Sequence, residues 1–429
     1  MKEDKLVNRI DRFNQHAFIQ VLQQTMIILF PVALIGSFTW VISDNLLASN
    51  GFLAEILRIQ QWLPQWRFFH YLFRDATTIM IGWLSTYAAF VSAILTTQEY
   101  KRVNWMAGLC GIVSYVLIFY HTVRGSQMLE IRYFSAGWFI IGVLIGYLVG
   151  LIFVKWGQPF RLRDLSVNRG KGLNVILSNL RPFLLVVVGA FILHLLYAIW
   201  RAFNLDAMTV QTISSMIGNN SNYLLNIFLS LINTILVWLG FAEPLALTAG
   251  AYSNEASNNL VYVLVHRTFA NVPYPFTPSA LYYGYANFGG VGVTIALVIG
   301  ILWVGNKSNQ QRIAGLSIFP AIFNTGLPIL FGSRVFLNII YLVPFVVLPI
   351  VNMLLASLLI LLKIIPPVVY PVPSGTPGVL VPFIGTGGNW LVLLVTVLLV
   401  ILDVIVYIPF IKLALRVDER MRKERHDAH

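Results

Sequence analysis

Long apolar stretches recur along this chain, and each is long enough to form a helix that crosses a membrane. An α-helix needs about 20 mostly apolar residues to span the hydrocarbon core. Only 11% of the residues are charged and 58% are hydrophobic, whereas about a quarter of a soluble chain is charged. We therefore predict an all-α integral membrane protein with about ten transmembrane helices plus re-entrant hairpins. The clear spans begin at Gln23, Thr77, Trp105, Gly137, Pro182 and Asn222, and continue over residues 291–304, 336–362 and 390–411.

The distribution of Lys and Arg predicts the orientation in a bacterial cytoplasmic membrane. Basic residues concentrate before the first span, in alternate connections and after the last span, which places both termini in the cytoplasm. Residues 1–22 are predicted to form an amphipathic helix on the cytoplasmic lipid surface, and residues 416–429 a basic cytoplasmic tail. This topology accounts for the net charge of +12. Because the charge is divided among short loops, it does not indicate nucleic-acid binding.

Cysteine and histidine usage argues against metal or redox chemistry. The single cysteine, Cys110, excludes an intramolecular disulfide, and the seven histidines show no metal-ligand spacing. No metal and no cofactor are therefore predicted. The polar N-terminus also lacks the pattern of a cleavable signal peptide.

The pattern of apolar runs changes at residue 218, where the polar stretch GNNSN begins. Residues 23–217 contain regular spans with short loops, which predicts a scaffold domain. Residues 218–415 interrupt their apolar runs four times with Gly, Pro, Asn and Ser. Irregular backbone at membrane depth is tolerated where it is buried in protein or lines a polar cavity, and broken helices are typical of substrate sites in transporters. The four interruptions are GFAEPLALTAGAYSNEASNN, NVPYPFTPSALYYGYANFGGVGV, FNTGLPILFG and PVPSGTPGVLVPFIGTGGNW.

Two of these interruptions supply candidate substrate contacts. FNTGLPILFG, residues 323–332, is predicted to be the tip of a re-entrant hairpin, with Asn324 and Thr325 facing a polar ligand; the alternative is a proline kink in an ordinary span. In NFGGVG, Asn287 is a further candidate. Gly289 and Gly290 either let the backbone approach a ligand or let two segments pack closely.

The other candidate substrate-site or cavity residues carry an amide, an aromatic ring or a carboxylate. Asn389 and Trp390 could bond a sugar hydroxyl and stack on its apolar face, although Trp at a membrane boundary is also a common anchor. Glu243 is either a cavity residue or a residue in loop water, since acids at membrane depth are costly. Asp403 is either a cavity residue or the partner of Arg334.

The second half also resembles a known family. The stretches YANFGGVGVTIALVIGIL, GLSIFPAIFNTGLPILFGSRVFLNIIYLVPFVVLPIVN, PFIGTGGNW and VYIPFIKL occur in order. Together they resemble enzyme IIC, the permease of the lactose and cellobiose branch of the phosphoenolpyruvate-dependent sugar phosphotransferase system. The resemblance implies a homodimer whose scaffold (23–217) forms the dimer contact, and a transport domain (218–415) that carries a sugar. It also implies a separate cytoplasmic IIB protein, charged through IIA, that phosphorylates the sugar.

This sequence departs from the family at two polar positions. Where the family usually carries a Glu in an Asn-Glu-Pro stretch, this chain has Leu327, and Ala242 stands where the family usually has a His. Phosphoryl transfer needs positioning and charge stabilisation around the attacking hydroxyl, so both losses argue against ordinary phosphotransfer, and no catalytic residue is assigned. The sequence predicts a permease for a disaccharide or β-glucoside. The alternatives are a non-phosphorylating carrier and a membrane sensor or regulatory subunit.

Overall fold

The computed structural model describes residues 12–123, 126–128, 130–161, 169–202, 222–241, 254–305 and 309–427. The chain forms two compact units. The first comprises Met1–Val32, Thr78–Val210 and Gly240–Ala242, and the second comprises Ala33–Thr77, Gln211–Leu239 and Glu243–His429. Residues 33–77 therefore share a unit with the C-terminal part of the chain.

Helices account for almost all of the described structure. In residues 12–202 they are α1 (Ala17–Trp40), a π-helix (Val41–Leu47), α2 (Phe52–Leu57), α3 (Ile59–Trp62), α4 (Trp66–Met80), α5 (Leu84–Glu99), α6 (Trp105–Phe119), α7 (Ile131–Phe134), a 3₁₀ turn (Ala136–Trp138), α8 (Phe139–Trp156) and α9 (Arg169–Ala202). In residues 222–427 they are α10 (Tyr223–Trp238), α11 (Asn254–His266), a second π-helix (Ser279–Ala286), α12 (Thr294–Val304), α13 (Asn309–Ile322), α14 (Leu327–Gly332), α15 (Ile339–Leu361), a 3₁₀ turn (Gly378–Leu380), α16 (Val381–Gly385) and α17 (Trp390–Asp427).

The predicted all-α membrane fold is confirmed. Within the described residues, six helical stretches are long and apolar enough to cross a membrane, and three shorter apolar helices accompany them. The number of crossings and their orientation stay predictions. One element differs from the predicted helices: a short antiparallel hairpin pairs β1 (His121–Val123) with β2 (Ser126–Met128).

The first unit is built around close packing between α5 and α8. Three glycines four residues apart, Gly142, Gly146 and Gly150, line one face of α8. A Cβ atom at Gly146 would lie 2.3 Å from the carbonyl oxygen of Ala89 on α5, and one at Gly142 would lie 2.2 Å from that of Ser85. Small residues at this spacing let two membrane helices approach closely.

The second unit contains three of the four interruptions predicted from the sequence, whereas residues 242–253 of the remaining one lie outside the described residues. In FNTGLPILFG, α13 ends at Ile322 and α14 begins at Leu327. Asn324 takes the left-handed conformation with φ +62°, as Asn often does after a helix, and Pro328 stands in the first turn of α14, where its missing N–H costs nothing. The break is therefore local and encoded by Asn and Pro.

Two carboxylates of the long final helix α17, those of Asp403 and Asp418, make polar contacts within the second unit. Asp403 lies fully buried and accepts a hydrogen bond from Asn352 Nδ2 at 2.8 Å. Arg334, considered above as its partner, instead contacts both carboxylate oxygens of Asp418, at 2.6 and 2.7 Å. That pairing is wrong because Arg334 follows α14 in a left-handed turn, with φ +53°, and its side chain reaches the later turn of α17 that carries Asp418.

Candidate functional site

A cavity of about 350 Å³ lies within the second unit. Five parts of the chain line it: the end of α1, α11 through Ala256, the second π-helix with the residue after it, the turn between α13 and α14, and an extended proline-rich segment. Side chains with aromatic rings or neutral polar groups dominate the lining. These are Trp40, Ser279, Tyr283, Asn287, Phe323, Asn324, Tyr370 and Ser374, with Ala256, Val368, Val369, Pro371, Val372 and Gly375 completing the wall.

The proline-rich segment, residues 366–377, is extended, and hydrogen bonds to other parts of the chain hold it in place. Its prolines cannot donate backbone hydrogen bonds, so the segment cannot form a helix. The N–H groups of Val369 and Tyr370 both donate to Gly385 O, at 2.8 and 2.9 Å. Asn45 Nδ2 donates to Gly375 O at 2.8 Å. A Cβ atom at Gly375 would lie 2.8 Å from the side chain of Asn45, so this position requires glycine.

Asn324 joins three of the interruptions. Its Oδ1 accepts a hydrogen bond from Gly289 N at 3.0 Å, and its Nδ2 donates to Thr376 O at 2.9 Å. These bonds tie the turn at residues 323–326 to the glycine loop, residues 287–293, and to the proline-rich segment. Asn324 lines the cavity and also holds its walls together.

The glycine loop is packed against protein at Gly289 and Gly290. Both have positive φ, +80° and +118°. A Cβ atom at Gly289 would lie 2.5 Å from Ile295 N, and one at Gly290 would lie 3.0 Å from Gly326 N. Neither residue lines the cavity. Of the two interpretations offered by the sequence, close packing of segments is the one that these contacts favour.

Asn287 leaves a hydrogen-bonding group unused beside the cavity. Its side chain is 5% exposed, and its Oδ1 has no hydrogen-bond partner. Buried amide oxygens are almost always paired, because leaving one unpaired costs about 1–3 kcal/mol. A ligand hydroxyl in the cavity would supply the missing donor. Thr325 Oγ1 is a second buried group with no partner, although Thr325 is not among the lining residues.

The lining suits a neutral ligand with both polar and apolar faces. Trp40, Tyr283 and Tyr370 offer rings, and Asn287 and Asn324 offer amides; binding sites commonly combine apolar walls with a few placed polar groups. Among the described residues, no Asp, Glu, Lys, Arg or His lines this cavity. The described parts of the chain also contain no cluster of three His, Cys, Asp or Glu side chains that could hold a metal ion.

The remaining predicted contacts lie elsewhere. Asn389 Oδ1 accepts from Leu391 N at 2.9 Å and so caps α17, and Asn389 lines a separate cavity of about 520 Å³ that Lys363 also lines. Trp390 is 75% exposed, with its ring centroid 5.1 Å from that of Phe383. Glu243 lies outside the described residues, as does Ala242.

The sequence analysis did not identify three rings that line the cavity together with the two asparagines, namely Trp40, Tyr283 and Tyr370. Trp40 ends the first apolar run and looks like an interfacial anchor, so no local signal identifies it. Tyr283 lies within an interruption that was identified, and Tyr370 directly precedes another. An aromatic residue next to a helix interruption was the available signal for these two tyrosines.

The family model "Phosphotransferase system, EIIC" matches residues 23–349, which is more than half of the chain. The chain belongs to the phosphotransferase system EIIC family. The match covers both the regular first part of the chain and the interruptions at residues 287–293 and 323–326.

Relatives of this EIIC chain include two named for disaccharides. The cellobiose-specific EIIC component of Lactococcus lactis subsp. lactis (strain IL1403) is 35% identical over 135 residues, 32% of this chain and 27% of the relative. The lactose-specific EIICB component of Staphylococcus aureus (strain N315) is 35% identical over 126 residues, 29% of this chain and 22% of the relative. The aligned stretches thus span about a quarter of the length of these relatives.

A solved structure also matches this EIIC chain. The transporter ChbC, the IIC component from the N,N'-diacetylchitobiose-specific phosphotransferase system, aligns over 99% of both chains with a TM-score of 0.43 and 18% identity.

Proposed function

We propose that this EIIC protein binds a neutral sugar, a disaccharide or β-glucoside, and carries it across the cytoplasmic membrane. The observation that carries the proposal is the cavity of about 350 Å³, with aromatic walls, two asparagine amides and no charged group among its described lining residues. Its volume lies at the lower end of the roughly 300–1,000 Å³ of ligand pockets. The names of the relatives, cellobiose-specific and lactose-specific, support a disaccharide.

In this proposal Asn287 Oδ1 accepts a hydrogen bond from a sugar hydroxyl, while Trp40 and the tyrosines pack against the apolar face of a sugar ring. Asn324 both faces the sugar and fixes the cavity walls. Gly289 and Gly290 support the wall from behind. Asn389, Trp390 and Thr325, which are not among the lining residues of this cavity, remain candidates for a second part of the sugar path. Glu243, which lies outside the described residues, remains a candidate as well.

The partners follow from the family. A separate cytoplasmic IIB protein, recharged by IIA, would phosphorylate the sugar as it reaches the cytoplasmic side, where we also propose that both termini of the chain lie. We propose that residues 23–217 serve as the scaffold and residues 218–415 as the transport domain, with Trp40 of the first span adding a wall to the sugar cavity.

A second candidate is favoured by one specific observation. Leu327 stands where the family usually carries an acid, and the described lining offers no charge to stabilise a transferring phosphoryl group. On this ground the protein releases free sugar, as a non-phosphorylating carrier. A sensor or regulatory subunit that binds sugar without moving it is the remaining alternative.

One uptake experiment separates these roles. The purified protein is reconstituted in liposomes and exposed to a panel of labelled disaccharides and glycosides, with and without phosphorylated IIB inside. Sugar phosphate that forms only with IIB supports the coupled permease, and free sugar that equilibrates equally without IIB supports the carrier. Sugar binding without uptake would assign the sensor role. A protein that neither binds nor takes up any sugar of the panel would contradict the proposal.

The uncovered face of α9 supports the proposed homodimer. Only 11% of the residues in the apolar part of its Leu173–Arg201 stretch are buried, and Leu177, Leu180 and Leu184 form a shallow groove on one face. We propose that a second copy covers this face. In a Cys110→Ser background, Leu184→Cys should form a cross-linked dimer in native membranes, whereas the equally exposed Val261→Cys on α11 should not. Equal yields from both variants would contradict the proposed interface.

A further inference from the structure

A buried carboxylate in the second unit plays no part in the candidate sugar site. Asp403 on α17 and Asn352 on α15 are both fully buried, and the amide nitrogen of Asn352 donates to Asp403 Oδ2 at 2.8 Å. The other oxygen of each side chain, Asp403 Oδ1 and Asn352 Oδ1, has no hydrogen-bond partner. Two acceptor oxygens are therefore left without a donor in the interior of the unit.

An ionised carboxylate in this setting would be costly. Buried charges in proteins are normally paired with an opposite charge or a metal ion, and an unpaired group neutralises instead. The ion pair that α17 makes further along, Arg334–Asp418, is already complete at 2.6 Å. Acidic residues inside membrane spans are rare and tend to be functional.

The titratable groups around Asp403 come from its own helix and from α15. Tyr407 lies one turn further along α17, Tyr341 lies on α15, and both tyrosines are buried. The other elements packed on α17 contribute no titratable side chain; they are α12 (TIALVIGILWV), the 3₁₀ turn Gly378–Leu380 (GVL) and α16 (VPFIG). No described cation therefore neutralises Asp403.

A bound proton would neutralise Asp403 and supply the missing hydrogen-bond donor without any further ligand. When the carboxylate binds one proton it becomes neutral and gains an O–H donor. A metal cation, by contrast, gathers several oxygen ligands, and hard divalent ions take six or more. Only two unpartnered oxygens are found here among the described residues.

Asp403 is linked to the glycine loop of the sugar cavity. The Tyr407 hydroxyl donates to Gly292 O at 2.6 Å. Gly292 lies in the loop that carries Asn287, has φ +78°, and packs so closely on Phe345 that a Cβ atom would lie 2.2 Å from the ring. A change in the charge or hydrogen bonding of Asp403 would therefore act, through one turn of helix, on the segment that presents Asn287.

We propose that Asp403 and Asn352 form a proton-binding site, and that its occupancy is coupled through Tyr407 to the glycine loop that lines the sugar cavity. The proton bound at Asp403 stabilises the loop in the arrangement described above. By linkage, a ligand that requires this arrangement would bind more tightly when the proton is present, and would raise the proton affinity by the same factor.

The first test measures proton binding without any sugar. The folded protein would hold a proton on Asp403 that the unfolded chain releases, so the stability contributed by this site is present at low pH and lost as pH rises. We expect the melting temperature of wild type to fall from mildly acidic to mildly alkaline pH by more than that of Asp403→Asn. This variant is always neutral, and its amide can donate in place of the proton. Glu419→Gln, which removes an exposed carboxylate from the same helix, should behave as wild type.

Infrared spectroscopy keeps the test decisive if Asp403→Asn does not fold. Wild type should show a protonated-carboxyl stretch that persists at a pH where exposed carboxyls are ionised and disappears at higher pH. Absence of this band, identical pH dependence in wild type and Asp403→Asn, or loss of the band on adding Na⁺ at constant pH would each overturn the proton site.

The second test measures the coupling. We expect hydrogen–deuterium exchange over residues 287–293, corrected for the intrinsic pH effect, to rise several-fold in wild type when the site deprotonates. Asp403→Asn should show no such rise, and Tyr407→Phe should exchange fast at both pH values. Exchange in α8 of the first unit should not change in any variant. If exchange in the glycine loop is the same in wild type, Asp403→Asn and Tyr407→Phe, the coupling is overturned, whatever the outcome for sugar transport.

Discussion

The side chain of Asn324 bridges two stretches of backbone that lie far apart in the sequence. Its Oδ1 accepts from Gly289 N at 3.0 Å, and its Nδ2 donates to Thr376 O at 2.9 Å. The turn between α13 and α14, the glycine loop and the proline-rich segment thus depend on one amide. Interrupted helices need such contacts because lipid cannot satisfy the backbone groups that each break frees.

Asn324→Ala should destabilise the second unit. It removes both hydrogen bonds and leaves a buried N–H and a buried carbonyl unpaired, at a cost of about 1–3 kcal/mol. The expected result is a lower melting temperature in detergent together with weaker sugar binding. Asn174→Ala, at an exposed position on α9, serves as control and should melt as wild type. Equal melting of both variants would show that the bridge contributes nothing.

Asn287→Ala should weaken sugar binding and leave stability nearly unchanged. Its Oδ1 has no partner within the protein, so truncation breaks no internal bond of that oxygen, but it removes an acceptor for a ligand hydroxyl. Loss of one such bond corresponds to about a tenfold rise in Kd. Equilibrium binding of a labelled disaccharide, measured beside the melting temperature, checks this. A fall in stability without any change in Kd would assign Asn287 a structural role instead.

Trp40→Ala should raise the Kd for sugar by about tenfold, because an aromatic face contributes roughly 0.5–1.5 kcal/mol beyond its buried area. Trp40→Phe should recover part of the loss. The matched control is Trp303→Ala on α12, whose ring is 78% exposed and lies outside the cavity lining. If both alanine variants bind sugar equally, Trp40 is no part of the site.

Gly378→Ala should disturb the cavity through its packing. A Cβ atom there would lie 2.5 Å from Asn324 Oδ1 and 2.9 Å from Asn287 O, and forcing an extra methyl into a packed site costs about 1–3 kcal/mol. Gly315→Ala on α13 is the control, because nothing lies within 4 Å of the added atom and alanine favours a helix. We expect Gly378→Ala to melt lower than wild type and Gly315→Ala to melt no lower. Comparable melting of the two would contradict the close approach.

The sequence was sufficient to predict the fold class because the signal is repeated along the chain. Each apolar run is an independent indication of a membrane helix, and FNTGLPILFG carries its own stop and start residues in Asn324 and Pro328. The pairing of Asp403 could not be predicted in this way. Asn352 and Asp403 lie 51 residues apart, and nothing local to either residue specifies that α15 and α17 bring them together.

The candidate site was only partly predictable for the same reason. Asn287 and Asn324 stand out as polar residues in helix interruptions, and both line the cavity. Trp40 comes from a distant, regular apolar run and joins them only through tertiary packing. Asn389 and Trp390 show the same interruption signal as Asn287, yet Asn389 caps a helix and Trp390 is largely exposed. Local pattern marks an interruption but does not specify which cavity it faces.

Competition binding tests the central claim most directly. A labelled disaccharide bound to the purified protein is displaced by the same sugar, by its phosphate ester, or by a monosaccharide, in wild type and in Asn287→Ala. Because no charged side chain is found among the described lining residues, burying a phosphate there is unfavourable. The account predicts displacement by the neutral disaccharide, much weaker displacement by its phosphate, and reduced affinity in Asn287→Ala. Tighter binding of the phosphate ester, with no effect of Asn287→Ala, would contradict it.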